Sequence, residues 1–248
     1  MGLLKIEKNV PTFDLNTATF VLYGDQGLGK TTLIDGMGDV LHLDGERRAL
    51  GVKGWREDIV DWPWLEKLLP ELPNHPCKTV SVDPFAVLWN HCAAHYCKGH
   101  NIPDLMSEEG YKTGFGVVAT TIHNWLLKLL KLKRVALVCH STFYETPVHI
   151  PGKEDVMKRK WVPECGGTAG TGKPHIRMHD IMGKIAGVEI YMEMDANGKR
   201  VLHCNPSDKW DATVKLTRGK LPDSIVIEDG ENGYEVLKRA IEEAQKTN

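Results

Sequence analysis

The sequence predicts an α/β protein with a mostly parallel central sheet flanked by helices. Three observations carry this. Short apolar runs at residues 20–23, 39–43, 79–82 and 134–139 alternate with stretches of helical character. The first run opens into a glycine-rich turn, VLYGDQGLGKTT at residues 21–32, with a helix-compatible stretch behind it. Polar residues (Glu46, Asp83 and His140) follow the other runs, and in a parallel sheet those ends share the edge where ligands bind.

Composition sets the bounds. A chain of 248 residues can bury a sizeable core, as one large α/β domain or two small ones. With 31 basic and 33 acidic residues the net charge is −2, so any nucleic-acid contact needs a local basic patch. No apolar run approaches the ~20 residues of a membrane helix, and MGLLKIEKNVPTFD at the start lacks a secretory apolar region. Six cysteines without a regular framework point to reduced thiols in a cytoplasmic compartment.

The first strand, residues 20–23, leads into GxxxxGK[ST], satisfied by Gly24, Gly29, Lys30 and Thr31. Such a match arises by chance in about one chain in a hundred of this length. Between the fixed positions stand Asp25, Gln26, Gly27 and Leu28, and Thr32 follows. Glycines let backbone N–H groups crowd round a phosphate, and the helix expected over residues 31–37 adds its dipole. Lys30 can neutralise β- and γ-phosphates, while the Thr31 hydroxyl can ligate Mg²⁺. The stretch reads as a nucleoside triphosphate site, with ATP and Mg²⁺ as ligands.

The second strand leads into LDGE, a helix is expected over residues 62–69, and NHPC reads as a loop. The third strand ends in Asp83, where an acid downstream of such a loop commonly holds the Mg²⁺ or its water. Pro84 follows, so the base for water attack must come from elsewhere; Glu46 is nearest by position, unless it is simply a solvated loop acid. Phe115, Val118, Ile122, Trp125, Leu126, Leu129 and Leu130 recur at helical spacing, giving a long amphipathic helix over residues 115–131. The fourth strand, RVALVC, ends in His140, either a γ-phosphate sensor or a satisfied histidine.

Beyond His140, Lys158, Arg159, Lys160 and Trp161, then Lys173 and Arg177, place cations beside an aromatic, which suits a single nucleic-acid strand. Glu154, Asp155 and Glu164 offset part of that charge, and a surface loop or β-hairpin is the plain alternative. In HCAAHYCKGH, His91 and His95 lie one helical turn apart, but Cys92 and Cys97 point elsewhere. A helix with buried thiols and surface imidazoles is therefore expected there rather than zinc.

The order of P-loop, LDGE, VSVD and a strand ending in His140 resembles the RecA-like ATPases. The tail DATVKLTRGKLPDSIVIEDGENGYEVLKRAIEEA is similar to the ending of phage-encoded, RecA-core-only proteins described as nucleotide-binding proteins or single-strand annealing recombinases. The resemblance implies one RecA-like ATPase domain: a nucleotide-binding core over about 11–145, and a β-hairpin and C-terminal strand–helix region over about 146–248. It implies Glu46 as catalytic base, His140 as sensor, and Lys215, Arg218 and Lys220 as cations reaching a neighbouring subunit's nucleotide. The implied partners are single-stranded DNA, further copies of the chain and a single-strand-binding protein, in the host cytoplasm. A separate N-terminal DNA-binding domain and a polymerisation motif are missing from the pattern. A small-molecule P-loop kinase and a nucleotide-gated assembly protein without significant turnover are the rival readings.

Overall fold

The computed structural model describes residues 13–107, 110–148, 156–166, 176–216 and 219–246. The α/β architecture expected from the sequence is the one observed. In chain order the N-terminal half runs β1 (Phe20–Gly24), α1 (Lys30–Asp35), β2 (Val40–Asp44), β3 (Trp55–Asp58), α2 (Trp62–Leu68), β4 (Thr79–Asp83), α3 (Ala86–His100), α4 (Phe115–Leu132) and β5 (Arg134–Cys139). Then come β6 (Ser141–Val148), β7 (Val156–Pro163), α5 (Ile176–Ile185), β8 (Val188–Met194), β9 (Arg200–His203), β10 (Thr213–Val214), β11 (Ser224–Ile227) and α6 (Gly233–Lys246).

The main sheet is ordered β11-β9-β8-β1-β5-β4-β2-β3, with β10 on β8. From β3 to β8 every neighbouring pair is parallel, while β9, β10 and β11 join antiparallel. The central strands are covered on both faces, so they read as unbroken apolar runs. Their alternation still sorts the core. Val21, Tyr23, Val135 and Leu137 face α2, α3, α4 and α5, whereas Phe20, Leu22, Ala136 and Val138 face α1 and α6.

Each helix has a local cause. Asp61 caps α2 by accepting from the Trp64 amide at 2.8 Å, and Pro63 sits in the first turn, where a missing N–H costs nothing. The α4 stripe buries Phe115, Val118, Ile122, Trp125, Leu126 and Leu129 as its periodicity predicts. The α1 helix ends at Asp35, short of the expected span, because Gly36 and then Gly38 (φ 70°) turn the chain toward β2. The segment after His140 is a β-hairpin, β6 against β7, paired from Ser141↔Pro163 to Val148↔Val156. All six cysteines are free and buried. Among the described residues no helix is long and apolar enough to cross a membrane.

Candidate functional site

The turn between β1 and α1 is built on glycine. Gly24, Gly27 and Gly29 have φ of 154°, 79° and 82°, values that L side chains rarely adopt. At Gly24 space forbids a side chain as well, since a Cβ would stand 2.1 Å from the Met192 carbonyl oxygen of β8. The loop therefore turns tightly over the sheet edge and delivers Lys30 to it. Lys30 is only 7% exposed, and its Nζ donates to the Gly24 and Asp25 carbonyls at 2.9 and 2.6 Å. Burial holds the ammonium below its ordinary range, although Asp83, Asp25 and Glu46 pull it back up.

Opposite Lys30, at the end of β4, the Asp83 carboxylate accepts a hydrogen bond from the Thr31 hydroxyl. Burial raises Asp83 above the ordinary carboxylate range, against the opposing pull of Thr31 and Lys30. A hydroxyl and a carboxylate side by side supply the hard oxygen ligands that Mg²⁺ takes.

Glu46 sits on the loop after β2, and Asp44 shapes that loop. Asp44 is 2% exposed and accepts from the Glu46 and Ala49 amides at 2.9 and 2.8 Å and from Arg56 Nε at 2.9 Å. Burial pushes the Asp44 carboxyl up, but these donors outweigh it and leave it below its ordinary range. Gly45 lets the loop pass over α3, where a Cβ would come within 2.6 Å of Val87. The Glu46 carboxylate faces Arg48 Nη1 at 3.2 Å with one oxygen and His140 Nε2 at 3.6 Å with the other. Both His140 ring nitrogens are buried without a hydrogen-bond partner. Gln26, Gly27, Gly29, Lys30, Thr31, Thr32, Glu46, Asp83 and His140 line one cavity of about 380 Å³.

The remaining sequence-selected residues lie elsewhere. In the hairpin, Lys158 pairs with Asp208 at 3.1 Å, Arg159 with Glu145 at 2.9 Å, and Lys160 with Asp211. Trp161 meets the Phe143 ring edge-on at 5.2 Å and packs partly against the core. Phe143 itself is exposed, with the Arg159 guanidinium 4.0 Å above its ring. Lys173 and Arg218 lie outside the described residues, as does the Arg177 side chain. Lys215 Nζ donates to the Gly183 and Lys184 carbonyls at the end of α5, and Lys220 faces Asp223 at 3.8 Å. On α3, Cys92 and Cys97 are buried, and the His100 ring stacks on Tyr96 at 4.0 Å.

Two functional candidates escaped the sequence. Asp44 was visible in LDGE, but nothing local marked it as the acid that shapes the Glu46 loop. Arg200, at the start of β9, reaches the P-loop only through the β8–β9 pairing, and no nearby pattern announces it.

A family profile described as an AAA domain matches residues 16–214. No curated protein matches the chain. Among solved structures, a KaiC-like protein from the hyperthermophilic archaeon Pyrococcus horikoshii OT3 is similar over 88% of each chain, at 15% identity and a TM-score of 0.47. Since the profile covers most of the chain, including the P-loop and every strand that lines the cavity, the protein belongs to the AAA domain family of P-loop ATPases.

Proposed function

We propose that the chain binds ATP with Mg²⁺ and hydrolyses it, as a RecA-like phage protein acting on single-stranded DNA in recombination or annealing. One observation carries the hydrolytic part. Lys30, the Thr31–Asp83 pair and the Glu46–His140 pair come from four separate strand ends and meet in one cavity. Lys30 leaves its loop carbonyls to neutralise the β- and γ-phosphates. Thr31 and Asp83 would hold Mg²⁺, which supplies charge neutralisation on the phosphate oxygens. Glu46 takes the proton of the attacking water, and His140, beside it, meets the γ-phosphate as sensor.

The DNA part is supported by the resemblance of the tail and by the exposed basic hairpin. Lys158 and Arg159 already have acidic partners, but exposed ion pairs are worth about 0–1 kcal/mol, so a phosphate backbone competes readily for them. Lys215, Arg218 and Lys220 serve a neighbouring copy's nucleotide in this reading, which requires a homo-oligomer.

The test is phosphate release by the native protein and by Lys30→Ala, with and without single-stranded DNA, alongside a screen for phosphorylated acceptors. Native turnover stimulated by DNA, and loss of ATP binding in the variant, are expected. A phosphorylated acceptor would establish the kinase instead, and nucleotide binding without turnover the assembly protein. Unchanged ATP affinity in Lys30→Ala overturns the P-loop site itself.

A further inference from the structure

Arg200 is the one arginine, among those with described side chains, that no acid, carbonyl or hydroxyl holds. Arg47, Arg48, Arg56, Arg134, Arg159 and Arg239 each have a hydrogen-bond or ion-pair partner. Arg200 has none among the described residues, although it is half-buried. A guanidinium that keeps contact with solvent and has no counter-charge of its own is available to a bound anion.

Its position says which anion. Arg200 Nη1 lies 3.4 Å from the point where a Cβ on Gly29 would stand, so the guanidinium rests against the phosphate-binding loop one residue before Lys30. On the same side of α1 opens a groove of about 650 Å³, whose lining includes Trp55, Arg200 and Asn232 together with the acids Asp35, Asp39 and Glu231. Thr32 lines both this groove and the cavity that holds Lys30 and Asp83. A groove of this size is in the range that encloses a small ligand. Asn232 spends its side-chain oxygen on the Tyr234 and Glu235 amides at the start of α6.

We infer that Arg200 is a nucleotide-binding residue acting within its own subunit: it grips the α-phosphate and ribose of the bound nucleoside triphosphate and seats the nucleoside in the groove beside α1. This rests on the P-loop reading above and assigns the half of the nucleotide that Lys30 does not touch. Lys30 and Asp83 serve the β- and γ-phosphates, whereas Arg200 binds what ATP and ADP have in common. Its loss therefore acts on the affinity for both nucleotides.

The test is calorimetric titration of the native protein, Arg200→Ala, Arg200→Lys and Lys30→Ala with ATP and with ADP. Arg200→Ala should weaken both nucleotides by a similar factor, about ten- to a hundredfold for the removal of a charge-assisted hydrogen bond. Arg200→Lys should recover part of that loss. Because Arg200 has no partner within the described fold, the melting temperature of ligand-free Arg200→Ala should match the native value. ADP and ATP affinities within twofold of native in Arg200→Ala, with binding lost in Lys30→Ala, overturn this assignment and leave the P-loop site standing. A loss confined to ATP also overturns it, since the guanidinium would then act on the γ-phosphate. Binding that survives Lys30→Ala removes the P-loop site and this inference together.

Discussion

Glu189 on β8 is expected to make the fold less stable as pH rises, and Glu189→Gln should remove that dependence. Glu189 is 5% exposed, faces the α2–α5 side of the sheet beside Val21, and leaves its Oε1 without a hydrogen-bond partner. Burial raises it most and Asp211 adds to that, while Lys215 and Lys160 lower it; together they push it from 4.5 up to about 7. Asp211 is itself held by Lys160 and faces His179 at 3.6 Å, and Tyr23 donates its hydroxyl to the Asp211 carbonyl. Since the folded value lies above the unfolded one, the native state holds a proton that the unfolded chain gives up between those pH values. Stability therefore falls as pH rises from 4.5 to about 7, and the full cost is present above that. The shift corresponds to about 3 kcal/mol at pH 8 and roughly half of that or less at pH 5.5. Glutamine imitates the protonated acid, so the variant should exceed the native protein by those amounts. At this chain length ~3 kcal/mol is roughly 6–12 °C in melting temperature. Urea unfolding at pH 5.5 and 8 measures it. A native-minus-variant difference that is the same at both pH values would refute the assignment of an ionisation-linked cost to Glu189.

Three further outcomes are expected. Glu46→Gln should bind ATP normally and turn over about 10²–10⁴-fold more slowly, read from phosphate release against nucleotide titration; native turnover would move the base elsewhere. Asp44→Ala frees two loop amides and leaves Arg56 Nε without its buried acceptor, so it should cost about 3 kcal/mol in urea unfolding and slow hydrolysis in the protein that remains folded; undiminished kcat would show that the Glu46 loop holds its shape unaided. Replacing Lys158, Arg159 and Lys160 together with alanine should lower the log–log salt slope of single-strand binding by about 0.7 for each phosphate left without its cation, and leave ATP affinity unchanged; an unaltered slope would remove the hairpin from the DNA surface.

What the sequence revealed was local, and what it hid was brought together by sheet pairing. The P-loop was legible because its glycines and Lys30 must stand at fixed spacing within one turn. The strand from Arg134 to Cys139 was legible because a doubly covered strand is apolar throughout. The placing of Glu46, Asp83 and His140 on one edge followed from parallel strands alone, without knowledge of their order. By contrast, the short edge strand Trp55–Asp58, exposed and half-buried by turns, carries no apolar run to betray it. For the basic run at Lys158–Lys160 the sequence offered Glu154, Asp155 and Glu164 as offsetting acids. The partners of Lys158 and Lys160, Asp208 and Asp211, instead arrive from a distant segment, and that of Arg159, Glu145, from the facing strand. Arg200 was invisible for the same reason, since only the return of β9 along β8 sets it against Gly29.

The strand order has a metric consequence. One strand, β5, separates β1 from β4, and β2 lies immediately beyond β4. With strands about 4.8 Å apart, the root of the phosphate-binding loop stands roughly 10 Å from the root of Asp83 and about 14 Å from that of Glu46. These intervals are held by rows of backbone hydrogen bonds, which no side-chain exchange can stretch. The sheet thus works as a ruler graduated in strand widths, and the spacing of Lys30, Asp83 and Glu46 along the edge is read off that scale. Loops at the edge can change what covers the bound molecule, but only gaining or losing a whole strand would change the span.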